Sequence, residues 1–306
     1  MSHLFGPVPS RRLGRSLGVD LVPRKTCPYD CIYCEVGPTT RKTSKRLDYQ
    51  ADEILAELAA YLHEGPPPLD YITLAGSGEP TLNLGLGKII RRIKALTETK
   101  VAVLTNGALL YLPEVRDELQ AADLVLPSLD AALEESFQAI NRPLPDYPLS
   151  RLIEGLAALR REFAGQIWLE ILLLQGLNDS EADLSALRQA VKTLSPDKVQ
   201  LNTAVRPGVE KFARALGPEE MTAIAHYLED GLEVEVVASF KSHAQAAATC
   251  DDAVLVEMLA RRPMTAADLA KVCGLPLAEV QEKLRDLEDA GRISCNRYQG
   301  EGFYRQ

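Results

Sequence analysis

Short apolar runs alternate along this chain with segments of helical period, and this alternation limits the possible folds more than any other feature of the sequence. The predicted strands are Leu17–Val22, Tyr71–Ala75, Val101–Leu104, Asp123–Pro127, Ile167–Leu174 and Val199–Asn202. Helices are predicted at Asp48–Leu62, Leu86–Leu96, Leu112–Leu119, Leu133–Ile140, Leu149–Phe163, Ser180–Leu194 and Pro218–Leu228. Such alternation requires a parallel sheet, and right-handed crossovers curl it toward a barrel. Because eight units close a full barrel, these six predict an α/β fold, a partial (β/α)6 TIM-type barrel.

Polar and glycine-containing segments follow several of these predicted strands. They are Gly76-Ser77-Gly78-Glu79-Pro80, Thr105-Asn106, Ser128, Asp130 and Asn202. The carboxyl ends of barrel strands carry the chemistry of such folds, so we expect these residues at one mouth. For the single polar residues after the third and fourth strands, a role in capping the strand end is an equally good explanation.

The end of the chain predicts a small winged-helix domain. Residues 239–250 are typical of a linker, so we place the barrel at residues 1–245 and the second domain at 246–306. Its helices are predicted at Ala253–Leu259, from the N-cap Thr265, and at Leu277–Ala290, before a hairpin over Ile293–Tyr304 that turns near Gly300. Residues 251–306 carry a net charge of −2. A docking surface or a lid on the barrel is therefore favoured over binding to duplex nucleic acid.

The charge of the chain is unevenly distributed. The net charge is −9, which argues against a protein that coats nucleic acid. Residues 11–46 nevertheless hold nine Lys or Arg and three Asp or Glu, a local charge of +6. This segment suits an anionic partner such as a phosphorylated metabolite or an RNA backbone; the alternatives are that its cations face water or offset an anionic cluster.

Neither a membrane span nor a signal peptide is predicted. The chain contains no run of about 20 apolar residues, and the first residues, Met1-Ser2-His3-Leu4-Phe5, lack the charged and apolar regions of a secretory signal. We therefore expect a cytoplasmic protein without a membrane partner.

Cys27, Cys31 and Cys34 lie within eight residues, and no other cysteine occurs before Cys250. Thiolates spaced this closely can converge on a soft metal ion or an iron–sulfur cluster. Three ligands leave one position of a four-position centre open, as at metal sites that perform chemistry. A zinc knuckle is the alternative for the cysteines taken alone.

The cysteine motif, the Gly78-Glu79-Pro80 segment and the six strand–helix units together resemble radical S-adenosylmethionine (SAM) enzymes. The resemblance implies that Cys27, Cys31 and Cys34 bind a [4Fe–4S] cluster whose fourth iron binds SAM. Reductive cleavage of SAM then gives a 5′-deoxyadenosyl radical that abstracts hydrogen from the substrate. A reductant such as flavodoxin or ferredoxin is an implied partner.

The same resemblance implies which residues contact SAM. They are Tyr33 near adenine, Gly76, Ser77, Gly78, Glu79 and Pro80 near the amino group, Thr105, Asn106, Ser128 and Asp130 near the ribose and methionine parts, and Asn202 on the adenine side. Within this set we expect Glu79 to be structural. Glu170 is a weaker candidate that could face the barrel interior.

Within the superfamily, residues 126–130, 140–144 and 174–179 look similar to 4-demethylwyosine synthases, which modify a guanosine of tRNA with a carbon unit from pyruvate. The chain departs from them because it has no extra cysteines before Cys27 and no flavodoxin domain, and because it adds the winged helix. Lys25 and Lys42 are candidates for a pyruvate-condensing lysine, with surface charge as the alternative. We therefore predict a relative of those enzymes that differs from them in activity.

Three functions follow from these observations. The first is radical modification of a nucleotide or RNA base. The second is modification of a peptide or protein, or activation of a glycyl-radical enzyme, with the winged helix recognising the partner. The third is a redox regulator without catalysis. Cys250, Cys273 and Cys295 could form a second cluster, although their spacings match no compact ligand signature and the alternative is that Cys273 and Cys295 are small core residues.

Overall fold

A computed structural model describes residues 2–10, 12–237 and 250–306, and its centre is the predicted sheet. The barrel strands are β1 (Leu4–Ser10), β2 (Gly14–Val19), β3 (Thr26–Cys27), β4 (Arg41–Lys42), β5 (Tyr71–Leu74), β6 (Lys100–Thr105), β7 (Leu124–Pro127), β8 (Gln166–Leu173), β9 (Lys198–Thr203) and β10 (Val234–Val236). Eight of them form one sheet in the order β1-β2-β5-β6-β7-β8-β9-β10. The run from β2 to β10 is parallel, which confirms the α/β class and the mostly parallel sheet of a partial barrel.

Two strands at the edges of this sheet were not predicted. β1 pairs antiparallel with β2, and β10 extends the sheet beyond β9. β1 was missed because Leu4–Ser10 contains two prolines, which a central strand excludes but an edge strand tolerates. β10 has only three residues, too few for a clear alternation.

Helices cover the outer face of the sheet. In the barrel region they are α1 (Ala51–His63), α2 (Leu86–Leu96), α3 (Pro113–Leu119), α4 (Glu134–Asn141), α5 (Leu149–Glu162), α6 (Glu181–Leu194) and α7 (Pro218–Leu228). Leu17, Ile72 and Val103 of the strands share one buried cluster with Leu58 of α1 and Ile89 of α2. Burial of these side chains is the main force that holds the helices against the sheet. No helix in the described residues is long and apolar enough to cross a bilayer.

The end of the first parallel strand differs from its prediction. β2 stops at Val19 and not at Val22, and Asp20 follows it directly. The Asp20 carboxylate accepts hydrogen bonds from the backbone N–H of Ser77 at 3.1 Å and from its hydroxyl at 2.6 Å. The Asp20 side chain thereby joins the end of β2 to the segment that follows β5.

The C-terminal unit contains α8 (Asp252–Arg261), β11 (Met264–Thr265), α9 (Ala266–Cys273), α10 (Leu277–Asp289), β12 (Ser294–Tyr298) and β13 (Glu301–Arg305). Its sheet has the order β11-β13-β12, and it has its own buried cluster, which includes Leu255, Leu269 and Leu284. The predicted three helices and the hairpin that turns at Gly300 are present. The winged-helix assignment and the boundary at residue 245 stay predictions, and residues 239–249 of the predicted linker lie outside the described residues.

The three C-terminal cysteines do not come together as one group of three. Cys250 is bonded to Cys273, which lies in the core of the C-terminal unit with 3% of its surface exposed. Cys295 is a free, half-buried thiol on β12. In the described part of the chain these residues therefore form no shared ligand set. Of the two that were predicted as small core residues, Cys273 is fully buried and Cys295 is not.

The C-terminal unit contacts the barrel at several points. The Arg261 guanidinium lies 3.6 Å from the Asp20 carboxylate, and its Nη2 donates to the backbone oxygens of Ser2 and Leu4. The Tyr298 hydroxyl contacts the carbonyl oxygens of Ala204 at 3.0 Å and Ala213 at 3.1 Å. These contacts hold the C-terminal unit against the edge strand β1 and the loop after β9.

Candidate iron–sulfur and SAM site

The three cysteines lie on one loop that starts from the β3–β4 ribbon. Cys27 ends β3 and pairs in register with Lys42 of β4. The loop is then fixed from both sides, because the N–H of Ile32 donates to the carbonyl of Ile140 at 3.0 Å, and its carbonyl accepts from the N–H of Glu210 at 2.9 Å. All three thiols are free and half-buried.

Each of these sulfurs has a nitrogen donor from a different segment. Lys25 Nζ lies 3.0 Å from Cys34 Sγ, and Asn106 Nδ2 lies 3.2 Å from Cys27 Sγ. Asn141 Nδ2, at the end of α4, lies 3.5 Å from Cys31 Sγ. Donors of this kind orient metal-bound thiolates and tune the centre they bind.

Burial raises the pKa of two of the three thiols, those of Cys27 and Cys31. It is the largest cause that raises the pKa of Cys27 to about 12, followed by the nearby Glu79 carboxylate. Burial also raises the pKa of Cys31, with Cys27 as the next cause. Because thiolates are the binding form, loading a metal here would release protons and depend on pH.

The donor set fits an iron–sulfur cluster. Three thiols on one loop offer soft ligands, and the N–H donors beside them suit thiolate sulfur. Among the residues that the structure describes, no group of three or more His, Cys, Asp or Glu side chains, these three cysteines included, is already arranged to hold a metal ion. An arrangement with three thiols is what a centre with one open position requires.

The segment after β5 lies against the chain just before Cys27. The N–H of Lys25 donates to the Ser77 carbonyl at 2.7 Å, and the N–H of Glu79 donates to the Thr26 carbonyl at 3.0 Å. A Cβ on Gly78 would lie 2.4 Å from the Thr26 carbonyl oxygen, so only glycine permits this approach. The predicted SAM segment and the cysteine loop are therefore joined through their backbones.

The Glu79 carboxylate is surrounded by hydrogen-bond donors of the protein. Glu79 is 2% exposed, and its carboxylate accepts hydrogen bonds from the Thr81 and Thr105 hydroxyls, both at 2.6 Å, and from the Asn106 N–H at 2.8 Å. Burial raises its pKa and these hydrogen bonds oppose that effect. Glu79 thus ties the end of β5 to the end of β6 and orients Asn106. Pro80 begins a short 3₁₀ helix, Pro80–Leu82.

Asp130 has its acceptors occupied by the protein. It receives hydrogen bonds from the Tyr33 hydroxyl at 2.5 Å, from Asn141 Nδ2 at 2.6 Å and from the N–H of Leu172 at 3.0 Å. Burial raises its pKa, and the hydrogen bonds from Tyr33 and Asn141 oppose this. Asp130 therefore anchors the cysteine loop through Tyr33, and direct contacts of either residue with SAM stay predictions.

Ser128, Glu170 and Asn202 form a second polar group inside the barrel. Ser128 and Glu170 are bridged by backbone pairing, and Asn202 Nδ2 donates to Glu170 Oε1 at 3.2 Å. Arg12 forms an ion pair with the same Glu170 carboxylate. Glu170 thus faces the interior, as predicted, whereas contacts of Ser128 and Asn202 with SAM stay predictions.

Sequence reasoning missed Asp20, Asn141 and Gly208 as contributors to this site. A Cβ on Gly76 would lie 2.5 Å from the Asp20 carboxyl carbon, so the glycine leaves room for that carboxylate. Asp20 could have been found, because it is a polar residue directly after a strand. Gly208 carried no local signal.

Gly208→Ala is expected to disturb the cysteine loop. A Cβ there would lie 2.7 Å from the backbone of Tyr33, which cannot rotate away. We expect a loss of about 1–3 kcal/mol in the free energy of unfolding and a lower iron content after reconstitution. Urea denaturation and iron determination measure both effects. Gly217→Ala is the control, because a Cβ there meets only the end of the Glu220 side chain at 3.2 Å; equal losses in both variants would contradict this role of Gly208.

A cavity of about 640 Å³ lies beside the predicted SAM segment. Ser16 and Thr73 line it from the sheet, Met258 and Arg261 line it from α8, and it extends to Gly76 and Ser77. Its volume is in the range of small-molecule sites. The C-terminal unit therefore forms one wall of a chamber that adjoins the candidate cofactor site.

Comparison with known families decides the superfamily. The family model described as "Radical SAM superfamily" matches residues 21–187, more than half of the chain, and spans the cysteine loop and the segment after β5. The chain belongs to the radical SAM superfamily. Radical SAM proteins use a [4Fe–4S] cluster and SAM, and this chain is accordingly an iron–sulfur enzyme and not a regulator without catalysis.

Several curated relatives are similar to this radical SAM chain. A protein named GTPase Obg from Brachyspira hyodysenteriae is 40% identical over 95% of this chain, which spans only 43% of that protein's length. The UPF0026 protein MJ1312 from Methanocaldococcus jannaschii is 35% identical, with 73% of this chain and 70% of that protein covered, which places the chain among the UPF0026 proteins. The dual-specificity RNA methyltransferase RlmN from Gluconobacter oxydans is 30% identical over 63% of this chain and 50% of its own length.

A solved structure shares the fold. A radical SAM methyltransferase from Sphaerobacter thermophilus superimposes with a TM-score of 0.56, at 22% identity, over 72% of this chain and 65% of its own. At this identity the likeness supports the radical SAM barrel and leaves the substrate open. The closer likeness to 4-demethylwyosine synthases stays a prediction.

Proposed function

We propose that this radical SAM enzyme modifies a base of RNA, with Cys27, Cys31 and Cys34 as the cluster ligands. A cluster held by these three thiols would supply the electron for reductive cleavage of SAM, and with it radical chemistry on the substrate. The chain orients the three sulfurs through Lys25, Asn106 and Asn141. Residues 76–80 face the methionine end of SAM, held in place by Asp20 and Glu79.

The observation that carries the RNA assignment is a group of exposed cations beside the cluster loop, the basic ribbon Arg41, Lys42 and Lys45. β4 contributes Arg41 and Lys42, and its neighbour β3 ends in the ligand Cys27. Among the described residues, no carboxylate forms an ion pair with any of the three. A phosphate backbone bound to this surface would lie within a few residues of the reactive centre.

The cavity beside residues 76 and 77 supports the same substrate. Its volume of about 640 Å³ leaves room for one base-sized group. Its lining contains both glutamates, such as Glu57 and Glu257, and arginines, such as Arg261, so it carries no strong positive charge that would attract a phosphate. We infer that phosphates stay on the basic ribbon while a single unstacked base enters the cavity, as enzymes that act on bases require. The name of the Gluconobacter relative, an RNA methyltransferase, agrees with this substrate class.

Replacing the basic ribbon is expected to weaken RNA binding in a salt-dependent way. The plot of the logarithm of the association constant against the logarithm of the salt concentration has a negative slope. In the triple variant Arg41→Gln, Lys42→Gln, Lys45→Gln, this slope should become less steep by about 0.7 for each phosphate that is no longer neutralised, or about 2 in total for single-stranded RNA. Fluorescence anisotropy with a labelled oligonucleotide measures the slope. The control is the double variant Lys88→Gln, Lys192→Gln, which removes ion-paired lysines on α2 and α6. It should leave the slope unchanged. Equal slopes in both variants would exclude the ribbon as the contact surface.

The direct test of the proposal measures SAM cleavage in the presence of substrate pools. The enzyme is reconstituted without oxygen, reduced, and given SAM with total RNA or with the same RNA after ribonuclease digestion. We expect intact RNA to raise the yield of 5′-deoxyadenosine several-fold and digestion to remove most of the increase. Identical yields with both samples would refute an RNA substrate.

A peptide or protein substrate is the second candidate, and the surface of α10 favours it. Glu279, Glu282 and Asp286 are exposed on this helix, which would suit a basic peptide segment. In this candidate the C-terminal unit acts as a winged-helix module that holds the partner. A protease-sensitive, ribonuclease-resistant fraction that raises SAM cleavage would support it. In both candidates an external reductant such as flavodoxin or ferredoxin delivers the electron.

A further inference from the structure

Lys25 is the one cation among the three nitrogen donors that meet the cysteine sulfurs. Its residue surface is only 6% exposed, whereas Lys42, on the neighbouring strand, is exposed. Lys25 Nζ lies 3.0 Å from Cys34 Sγ, the shortest of the three contacts. The side chain is therefore turned inward to the cluster loop and is not the surface charge that the sequence suggested as an alternative.

The described residues offer Lys25 no carboxylate partner. Its ammonium group donates to the Cys34 sulfur, and no ion pair with a described residue involves it. A buried cation without an acidic partner is costly unless an anion neutralises it. The thiolate and sulfide charge of a bound cluster would supply that anion.

The backbone at Lys25 is fixed so that the side chain points this way. Its φ of 57° lies in the left-handed region, which is unfavourable for lysine. Two hydrogen bonds maintain the conformation, because its N–H donates to Ser77 and its carbonyl accepts from the N–H of Arg41 at 3.0 Å. A strained conformation held on both sides is a common feature of functional sites.

We propose that Lys25 is a positioning residue that sets the reduction potential of the cluster through its contact with Cys34. This rests on the proposed role of Cys34 as a ligand and not on the identity of the substrate. Reduction adds one electron to the cluster, and a fixed positive charge next to one ligand stabilises the reduced form more than the oxidised form. Lys25 therefore eases electron uptake from the external reductant, while the neutral amides of Asn106 and Asn141 act mainly on orientation.

The test is a redox titration of the reconstituted full-length enzyme, with dithionite as reductant and without SAM or substrate. The signal of the reduced cluster in electron paramagnetic resonance gives the midpoint potential, and iron content is measured in parallel. We expect Lys25→Met to shift the potential to more negative values. Lys25→Gln, which keeps a donor and loses the charge, should shift it in the same direction, and Lys25→Arg should stay close to the wild type. Lys42→Met is the matched control and should show no shift.

Two results would overturn the proposal. One is a midpoint potential in Lys25→Met equal to that of Lys42→Met at full iron content. The other is an unshifted potential in a variant that binds SAM more weakly than the wild type in a separate equilibrium titration, which would assign Lys25 to the SAM carboxylate. If the methionine variant does not hold the cluster, the comparison of Lys25→Gln with Lys25→Arg decides, and equal potentials in that pair count against the role. Because no RNA is present, failure of the RNA proposal would leave this measurement unaffected.

Discussion

Cys31→Ala is expected to lose the cluster and all SAM cleavage. Cys31 is the central one of the three proposed ligands, lies beside Asn141, and has no neighbouring cysteine in the described residues that could replace it. With two thiolates left, two irons would lack protein ligands, and the site could not hold the cluster in place. Iron and sulfide content, visible absorbance near the cluster bands and formation of 5′-deoxyadenosine should all fall to background.

The matched control is Cys295→Ala, since Cys295 is also a free, half-buried thiol but lies on the hairpin of the C-terminal unit. This variant should retain full iron content. Normal cluster absorbance in Cys31→Ala, or equal iron loss in both variants, would contradict the assignment of Cys27, Cys31 and Cys34 as the ligand set.

Asp130→Ala is expected to lower the free energy of unfolding by about 3–5 kcal/mol. The substitution leaves the Tyr33 hydroxyl, the Asn141 amide and the Leu172 N–H without their buried acceptor, and each such group costs about 1–3 kcal/mol. The effect should extend to the cofactor site, because Tyr33 directly precedes Cys34 and Asn141 contacts Cys31. We therefore also expect poor cluster retention.

Urea denaturation of the enzyme before reconstitution measures the first effect, and iron content after reconstitution measures the second. Asp52→Ala is the control, since the Asp52 side chain is 85% exposed and, among the described residues, forms its ion pair with Lys88 of α2. It should change stability by less than about 1 kcal/mol. A loss in Asp130→Ala no larger than in Asp52→Ala would mean that this carboxylate does not anchor the loop.

Local signals explain what the sequence predicted correctly. The alternation of strands and helices needs only nearest-neighbour patterns, and caps such as Ser180 and Thr265 are read within four residues. The three cysteines are equally local. The segment after β5 could be placed near them because the carboxyl ends of parallel strands share one edge of the sheet.

The remaining parts of the site depend on contacts between distant segments. Asn141 meets Cys31 across 110 positions, and Arg206, buried at 2% exposure, links Glu35 of the cysteine loop to Asp268 of α9. Nothing in the neighbourhood of these residues in the sequence marks them as partners. The inward direction of Lys25 depends on a left-handed backbone, which its residue type does not predict.

The position of Arg261 has a consequence for how the two parts of the chain can be separated. Its guanidinium supports Asp20, and Asp20 in turn supports Ser77. A barrel released by cleavage at residue 245 would lose that support together with one wall of the cavity. We expect such a fragment to retain most of its hydrophobic core and yet to bind SAM poorly, and we therefore expect the smallest catalytic unit of this enzyme to extend at least through α8.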